Sequence, residues 1–166
     1  MSLYPDQEIK LNWPEIFQRV IIEKRGGICY ERNELLYQAL IKFGYTAHRI
    51  ECVYKDRMDH LGLVVQIDTK WYFCDVAYVA ILAFNAIELV SAKETECEIG
   101  TWRPLGIYEK EMSTLVPSLP KYWRMETKDV NVTYDTHAEK AKRDTWTREI
   151  DFVLESRSLS DFSEKV

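Results

Sequence analysis

At Thr46 the apolar period of this chain changes from helical to two, and that switch limits the folds open to it. Upstream, Asn12-Trp13-Pro14-Glu15 has a capping residue, a proline in the first turn and a glutamate three residues after the cap, which predicts a helix start. Trp13, Ile16, Phe17, Val20 and Ile21 then recur at helical spacing, and Gly26-Gly27 breaks the run after about Lys24. A second helix opens near Cys29. Leu36, Ala39, Leu40 and Phe43 are its expected buried face, and Gly44 stands where a left-handed cap belongs. Downstream, His48, Ile50, Cys52 and Tyr54 fall on one face of a strand, with Arg49, Glu51 and Val53 on the other. Residues 60–67 alternate again, Asp68-Thr69 supplies a turn, and residues 70–79 continue as a third strand, most simply an antiparallel hairpin.

Beyond Ile81 the pattern weakens. Short β-like runs occur near Trp102, near Tyr122 and Trp123, and over residues 130–134. The clearest spans 146–155, where Ile150, Phe152 and Leu154 alternate with polar neighbours. Residues 136–144 are polar and charged and read as an exposed loop or short surface helix. Helices followed by runs of strands predict an α+β fold rather than a doubly wound parallel sheet. The expected division is a helical segment, 1–45, and an antiparallel sheet or barrel segment, 46–166, together one compact unit. A chain of 166 residues supports one sizeable core.

Charge and hydropathy narrow the function. With 22 Lys and Arg against 27 Asp and Glu, the net charge is −5, unlike a phosphate-binding surface, so no nucleic-acid partner is expected. No apolar run approaches the roughly 20 residues that span a bilayer, and residues 1–6 lack the basic and apolar regions of a secretory signal. A cytoplasmic protein with no membrane partner is expected. The four cysteines, Cys29, Cys52, Cys74 and Cys97, show no CxxC spacing, so neither a disulfide framework nor a metal site is expected.

The stretch Arg25-Gly26-Gly27-Ile28-Cys29-Tyr30-Glu31-Arg32-Asn33 carries the chemistry. It seats a thiol at a helix mouth, where unpaired N–H groups and the helix dipole favour thiolate. A cysteine nucleophile needs a base, and the base needs an orienting group. The available imidazoles are His48, His60 and His137. If an even number of residues closes the hairpin, His60 and Asp75 project from one face, opposite or one diagonal apart. Asp75 sits among Trp71, Phe73, Val76 and Ala77, where an acid is costly to bury unless it is paired. His48 is the rival base but lacks a matched carboxylate. Cys74 and Cys52 read as packing. Trp102, Trp123 and Trp146 can line an acceptor site or fill a core, and core is the usual fate of large aromatics.

These residues resemble the arylamine N-acetyltransferases. The family's signature RGGxCxExN is similar to residues 25–33. Its histidine strand resembles His60-Leu61-Gly62-Leu63-Val64-Val65, and its aspartate strand resembles Cys74-Asp75-Val76-Ala77-Tyr78-Val79. The resemblance runs from about Ile9 to Val79 and is faint after Ile81. It implies a papain-like core with a Cys29-His60-Asp75 triad and ping-pong acetyl transfer from acetyl-CoA to an aromatic amine or hydrazine. Tyr78 would then face the substrate. Arg25, Gly26, Gly27, Glu31 and Asn33 would support the helix entrance. Asp59 replaces a threonine common in the family, and Ala77 and Val79 replace glycines beside the aspartate. Typical members are longer, so the family's C-terminal lid domain is expected to be absent. Two other outcomes remain open: a different papain-like amide synthase or thiol hydrolase, and an inactive relative kept for binding or regulation.

Overall fold

The computed structural model describes residues 10–54, 57–77, 86–97, 100–128 and 147–165. Helix α1 (Trp13–Phe17) starts as its residues require: the Asn12 side chain accepts from the Glu15 N–H at 3.1 Å, with Pro14 in the first turn. It passes at once into a π-helical turn, Gln18–Ile22, closed by the Glu23 N–H on the Gln18 carbonyl. The expected stripe is therefore only partly realised. Ile16 is fully buried and Val20 packs beside it, while Phe17, Ile21 and Ile22 are exposed. An i→i+5 turn advances less per residue than an α-helix, so apolar positions spaced for 3.6 residues rotate off the buried side.

Helix α2 runs Cys29–Lys42. Gly44 (φ +86°) ends it, with the Tyr45 N–H on the Leu40 carbonyl and the Gly44 N–H on the Ile41 carbonyl, a Schellman cap. Its buried face differs from the expected one. Tyr30, Glu31, Asn33 and Glu34 are buried, Leu36 and Leu40 only partly so, Ala39 is exposed and Phe43 is 81% exposed. The reason is polar: Arg49 forks onto the Glu34 carboxylate at 2.6 and 2.8 Å while lying 3.7 Å from the Tyr37 ring centroid. Charge-assisted pairs of this kind turn the helix toward the sheet by residues that a hydrophobic pattern does not mark.

The strands form one antiparallel sheet: β1 (Thr46–Tyr54), β2 (Arg57–Ile67), β3 (Lys70–Cys74), β4 (Ile87–Glu88), β5 (Thr95–Cys97), β6 (Gly100–Met112), β7 (Pro120–Lys128) and β8 (Thr147–Arg157). Among the described residues their order is β4-β3-β2-β1-β8-β7-β6-β5. The Ala92 N–H bonds the Pro104 carbonyl and the Gly106 N–H bonds Ser91 Oγ, so the chain after β4 returns to β6 and nearly closes a barrel. The fold is α+β. The barrel core gathers Ile50, Cys52, Val64, Phe73, Trp102, Trp123, Ile150, Phe152 and Leu154, with Phe73 and Phe152 stacked at 4.9 Å. A second cluster, Leu11, Ile16, Tyr30, Leu61, Leu63 and Phe162, lies between the helices and the sheet. Strand β2 feeds both, which is why Leu63 and Val64 are each fully buried.

Strand β3 ends at Cys74, not near residue 79. The Asp75 side chain accepts from the Ala77 N–H at 2.8 Å, an Asx-type turn that takes that N–H out of the ladder. Trp102 and Trp123 are core. The expected features at 130–134, 136–144, Tyr78, His137 and Trp146 lie outside the described residues. No described helix is long and apolar enough to cross a membrane.

Candidate active site

Four consecutive elements bring the candidate residues together. The loop into α2 needs two glycines for two different reasons. Gly26 takes a left-handed backbone (φ +73°), which a side chain disfavours. A Cβ on Gly27 would lie 3.1 Å from both Glu31 Cβ and Val20 Cγ2, so the loop is pressed against the helix it enters. Glu31 Oε2 then accepts from the Ile28 N–H at 3.0 Å, reaching back over the first turn as the acid of a capping box does. Arg19, carried by the π-helical turn, holds the other Glu31 oxygen at 2.8–2.9 Å. Arg25 pairs with Glu23 at 3.0 Å. Cys29 is thereby fixed as the first helical residue, half-buried, with Ile28 beside it 39% exposed.

The hairpin delivers the other two groups. Its register pairs Leu63 with Cys74 and Ile67 with Lys70. Continued one step past β3, that register leaves Asp75 one diagonal from His60, on the same face. His60 Nε2 hydrogen-bonds Asp75 Oδ2, and both groups are buried. Cys29 hydrogen-bonds the imidazole. The carboxylate occupies Nε2, which leaves Nδ1 as the ring nitrogen for the sulfur. Val76, next to the acid, is 43% exposed.

Burial by itself pulls the His60 imidazole down. Hydrogen bonds to Asp75 and Cys29, and the charge of both, outweigh it and lift the group to about 9. The other described thiols differ. Burial, reinforced by the Asp75 charge, pushes Cys74 up to about 12 and Cys52 well above its ordinary range, so both stay protonated. His48 lies away from this group, its ring 5.8 Å from Trp71, and burial lowers it.

Sequence reasoning assigned Asn33 to the helix entrance, but its contacts lie at the acid. Its Nδ2 donates to Asp75 Oδ1 at 2.9 Å and to the Leu61 carbonyl at 2.5 Å, and its Oδ1 accepts from the Val76 N–H at 3.0 Å. Position 33, four residues after Cys29 and so on the same side of α2, was the available signal.

The N-acetyltransferase family model matches residues 1–114. The pineal gland arylamine N-acetyltransferase isozyme NAT-3 of Gallus gallus is 25% identical over 98% of this chain and 56% of its own. Arylamine N-acetyltransferase 1 of Bos taurus is 30% identical over 61% of this chain and 41% of its own. The chain thus spans about half the length of the curated relatives it matches. The Mycobacterium marinum arylamine N-acetyltransferase solved in complex with CoA superposes with a TM-score of 0.72 at 16% identity, covering 93% of this chain and 52% of that one. The Bacillus cereus enzyme described as having a unique Cys-His-Glu catalytic triad superposes at 0.68 and 17% identity, covering 96% and 56%. By family model, curated relatives and fold together, the chain belongs to the arylamine N-acetyltransferase family.

Proposed function

We propose that this protein is an acetyl-CoA-dependent N-acetyltransferase that passes an acetyl group through a Cys29 thioester to an aromatic amine or hydrazine. The reading rests above all on one observation: a half-buried thiol at a helix start, hydrogen-bonded to an imidazole that a buried carboxylate grips. With His60 lifted to about 9, the ring holds a proton at neutral pH and presents a cation to the sulfur.

In the first half-reaction Cys29 sulfur attacks the thioester carbonyl of acetyl-CoA. The first-turn N–H groups of α2 stand beside that sulfur and would receive the developing oxyanion. The bond to CoA breaks, and His60 gives its proton to the departing CoA thiolate. The acceptor amine then attacks the acetyl-enzyme. His60 takes the proton that the amine loses, and Cys29 leaves as thiolate beside an imidazolium again. Asp75 holds the ring orientation through both halves and stabilises the cation, as a triad acid does.

CoA binding by a structural neighbour supports the donor, and the exposed apolar Ile28 and Val76 suit an aromatic acceptor. Tyr78 is proposed as a further substrate contact. Gly26, Gly27, Arg25 and Glu31 act as supports. The thiol chemistry suits a reducing compartment, so the cytoplasm is the proposed location, with small molecules as partners. The test is intact-protein mass after mixing with acetyl-CoA. Gain of one acetyl group, lost on adding an arylamine and absent in Cys29→Ala, is expected. A folded native protein that stays unmodified while its thiol remains alkylatable overturns the proposal.

A further inference from the structure

The signature asparagine of α2 makes its bonds at the opposite end of the site from the nucleophile. Its amide spans three partners on two elements: the Asp75 carboxylate, the Leu61 carbonyl one residue past His60, and the Val76 N–H one residue past Asp75. Asn33 is itself fully buried. We propose that Asn33 is a positioning residue that fixes the rotation of the Asp75 carboxylate, so that Oδ2 is aimed at His60 Nε2. The inference rests on the acyl-transfer reading of the site.

Asp75 Oδ1 takes the Asn33 amide and the Ala77 N–H, at 2.9 and 2.8 Å, and Oδ2 takes the imidazole. Two donors converging on one oxygen define the carboxylate plane. The second Asn33 contact, on Leu61, ties that plane to the strand carrying His60, so acid and base are referenced to one side chain. Asp75 stands just past the end of β3, where the chain turns. Asn33 also hangs from the helix that carries Cys29 one turn earlier, so a single amide links all three members of the site.

Among the described residues, the ionisable groups facing the carboxylate include His60, Cys29 and the Cys52 and Cys74 thiols, of which burial keeps the last two protonated. On α2, Glu31 is bound by Arg19 and Glu34 by Arg49. Glu34 therefore serves as a control: it is buried on the same helix but makes its ion pair with Arg49 rather than contacting the acid.

The experiment follows the His60 ring protons by NMR against pH and alkylation of Cys29 by iodoacetamide at pH 7, in the native chain, Asn33→Ala, Asn33→Ser and Glu34→Gln. In the native chain His60 is expected to titrate near 9, well above 6.5. In both Asn33 variants the midpoint should fall by about one pH unit or more, and Cys29 alkylation should slow about tenfold. Glu34→Gln should lower thermal stability without moving the His60 midpoint. Asn33→Ser keeps a small polar group, so it remains informative if Asn33→Ala does not fold. A raised native midpoint that stays in place in a folded Asn33 variant overturns the positioning role and leaves the acyl-transfer reading standing. An equal shift in Glu34→Gln also overturns it, because general loosening would then explain the effect. A native midpoint near 6.5 overturns both together.

Discussion

Gly62 lies in β2 between His60 and Leu63, and the space for its missing side chain is already filled. A Cβ built there would sit 2.7 Å from Cys52 Sγ and 3.1 Å from Phe73 Cε2. Both neighbours are core residues, 0% and 2% exposed, so neither moves without displacing others. Overpacking a rigid site costs typically 1–3 kcal/mol, and two short contacts against buried partners place Gly62→Ala at about 2–3. Alanine restricts the unfolded chain and returns about 0.4–1 kcal/mol. The net loss is about 1–2.6 kcal/mol, or roughly 3–8 °C in Tm for a chain of this size. The sulfur is the tighter obstacle, so Cys52→Ala should open the slot. Alone it costs about 1 kcal/mol for a lost buried atom and its cavity. Combined with Gly62→Ala it should be more stable than the sum of the singles by about 1–2 kcal/mol. Full recovery is not expected, since the Phe73 contact remains. Urea unfolding of the four proteins measures this cycle. A Gly62→Ala variant as stable as the native chain, or strictly additive losses, would refute the packing argument.

Three further outcomes follow. Because the folded His60 is raised to about 9 from 6.5, its protonated form stabilises the fold fully below about 6.5, and that contribution drains away as pH rises through about 9; the urea midpoint should decline across that window and flatten in His60→Gln. Glu34→Ala strands the Arg49 guanidinium, 15% exposed, beside Tyr37 and should cost about 3 kcal/mol, read by urea unfolding, with Arg49→Met in the same background recovering part of it. Gly44→Ala meets no steric obstacle but must hold φ +86°, so calorimetry should show a loss of about 1 kcal/mol from backbone strain alone.

The legible parts of this chain were those set by local chemistry. Gly26-Gly27 before Cys29 marked a helix start that the structure places at Cys29 itself, because the loop needs one left-handed residue and one without a side chain. Gly44 marked the end for the same conformational reason. The two-residue turn at Asp68-Thr69 set the hairpin parity, and parity alone was enough to bring His60 and Asp75 to one face. Trp13 to Ile21 misled because a helical stripe presumes one pitch throughout, and the π-helical turn changes the pitch after Phe17. Strand β3 was overextended because apolar, β-branched residues continue past Asp75, while the turn that stops it depends on where one carboxylate folds back.

Helix α2 is the instructive failure, since its buried positions are correctly spaced yet mostly polar. Tyr30, Asn33 and Glu34, with the half-buried Tyr37, follow the i, i+3, i+4, i+7 rule of an inward face, but only the tyrosines carry apolar bulk. The expected face, Leu36, Ala39, Leu40 and Phe43, obeys the same spacing with greasier side chains and points largely elsewhere. What decides between them is the surface the helix meets. That surface offers a carboxylate, a strand carbonyl, a turn N–H and a guanidinium, and an apolar face set against it would take from each of them the partner that α2 supplies, at a cost of about 1–3 kcal/mol apiece. The leucines contribute less when half-exposed than those groups would lose. A helix that brings Cys29 to the buried His60–Asp75 pair is therefore oriented by the polar groups around that pair, and its hydrophobic pattern yields.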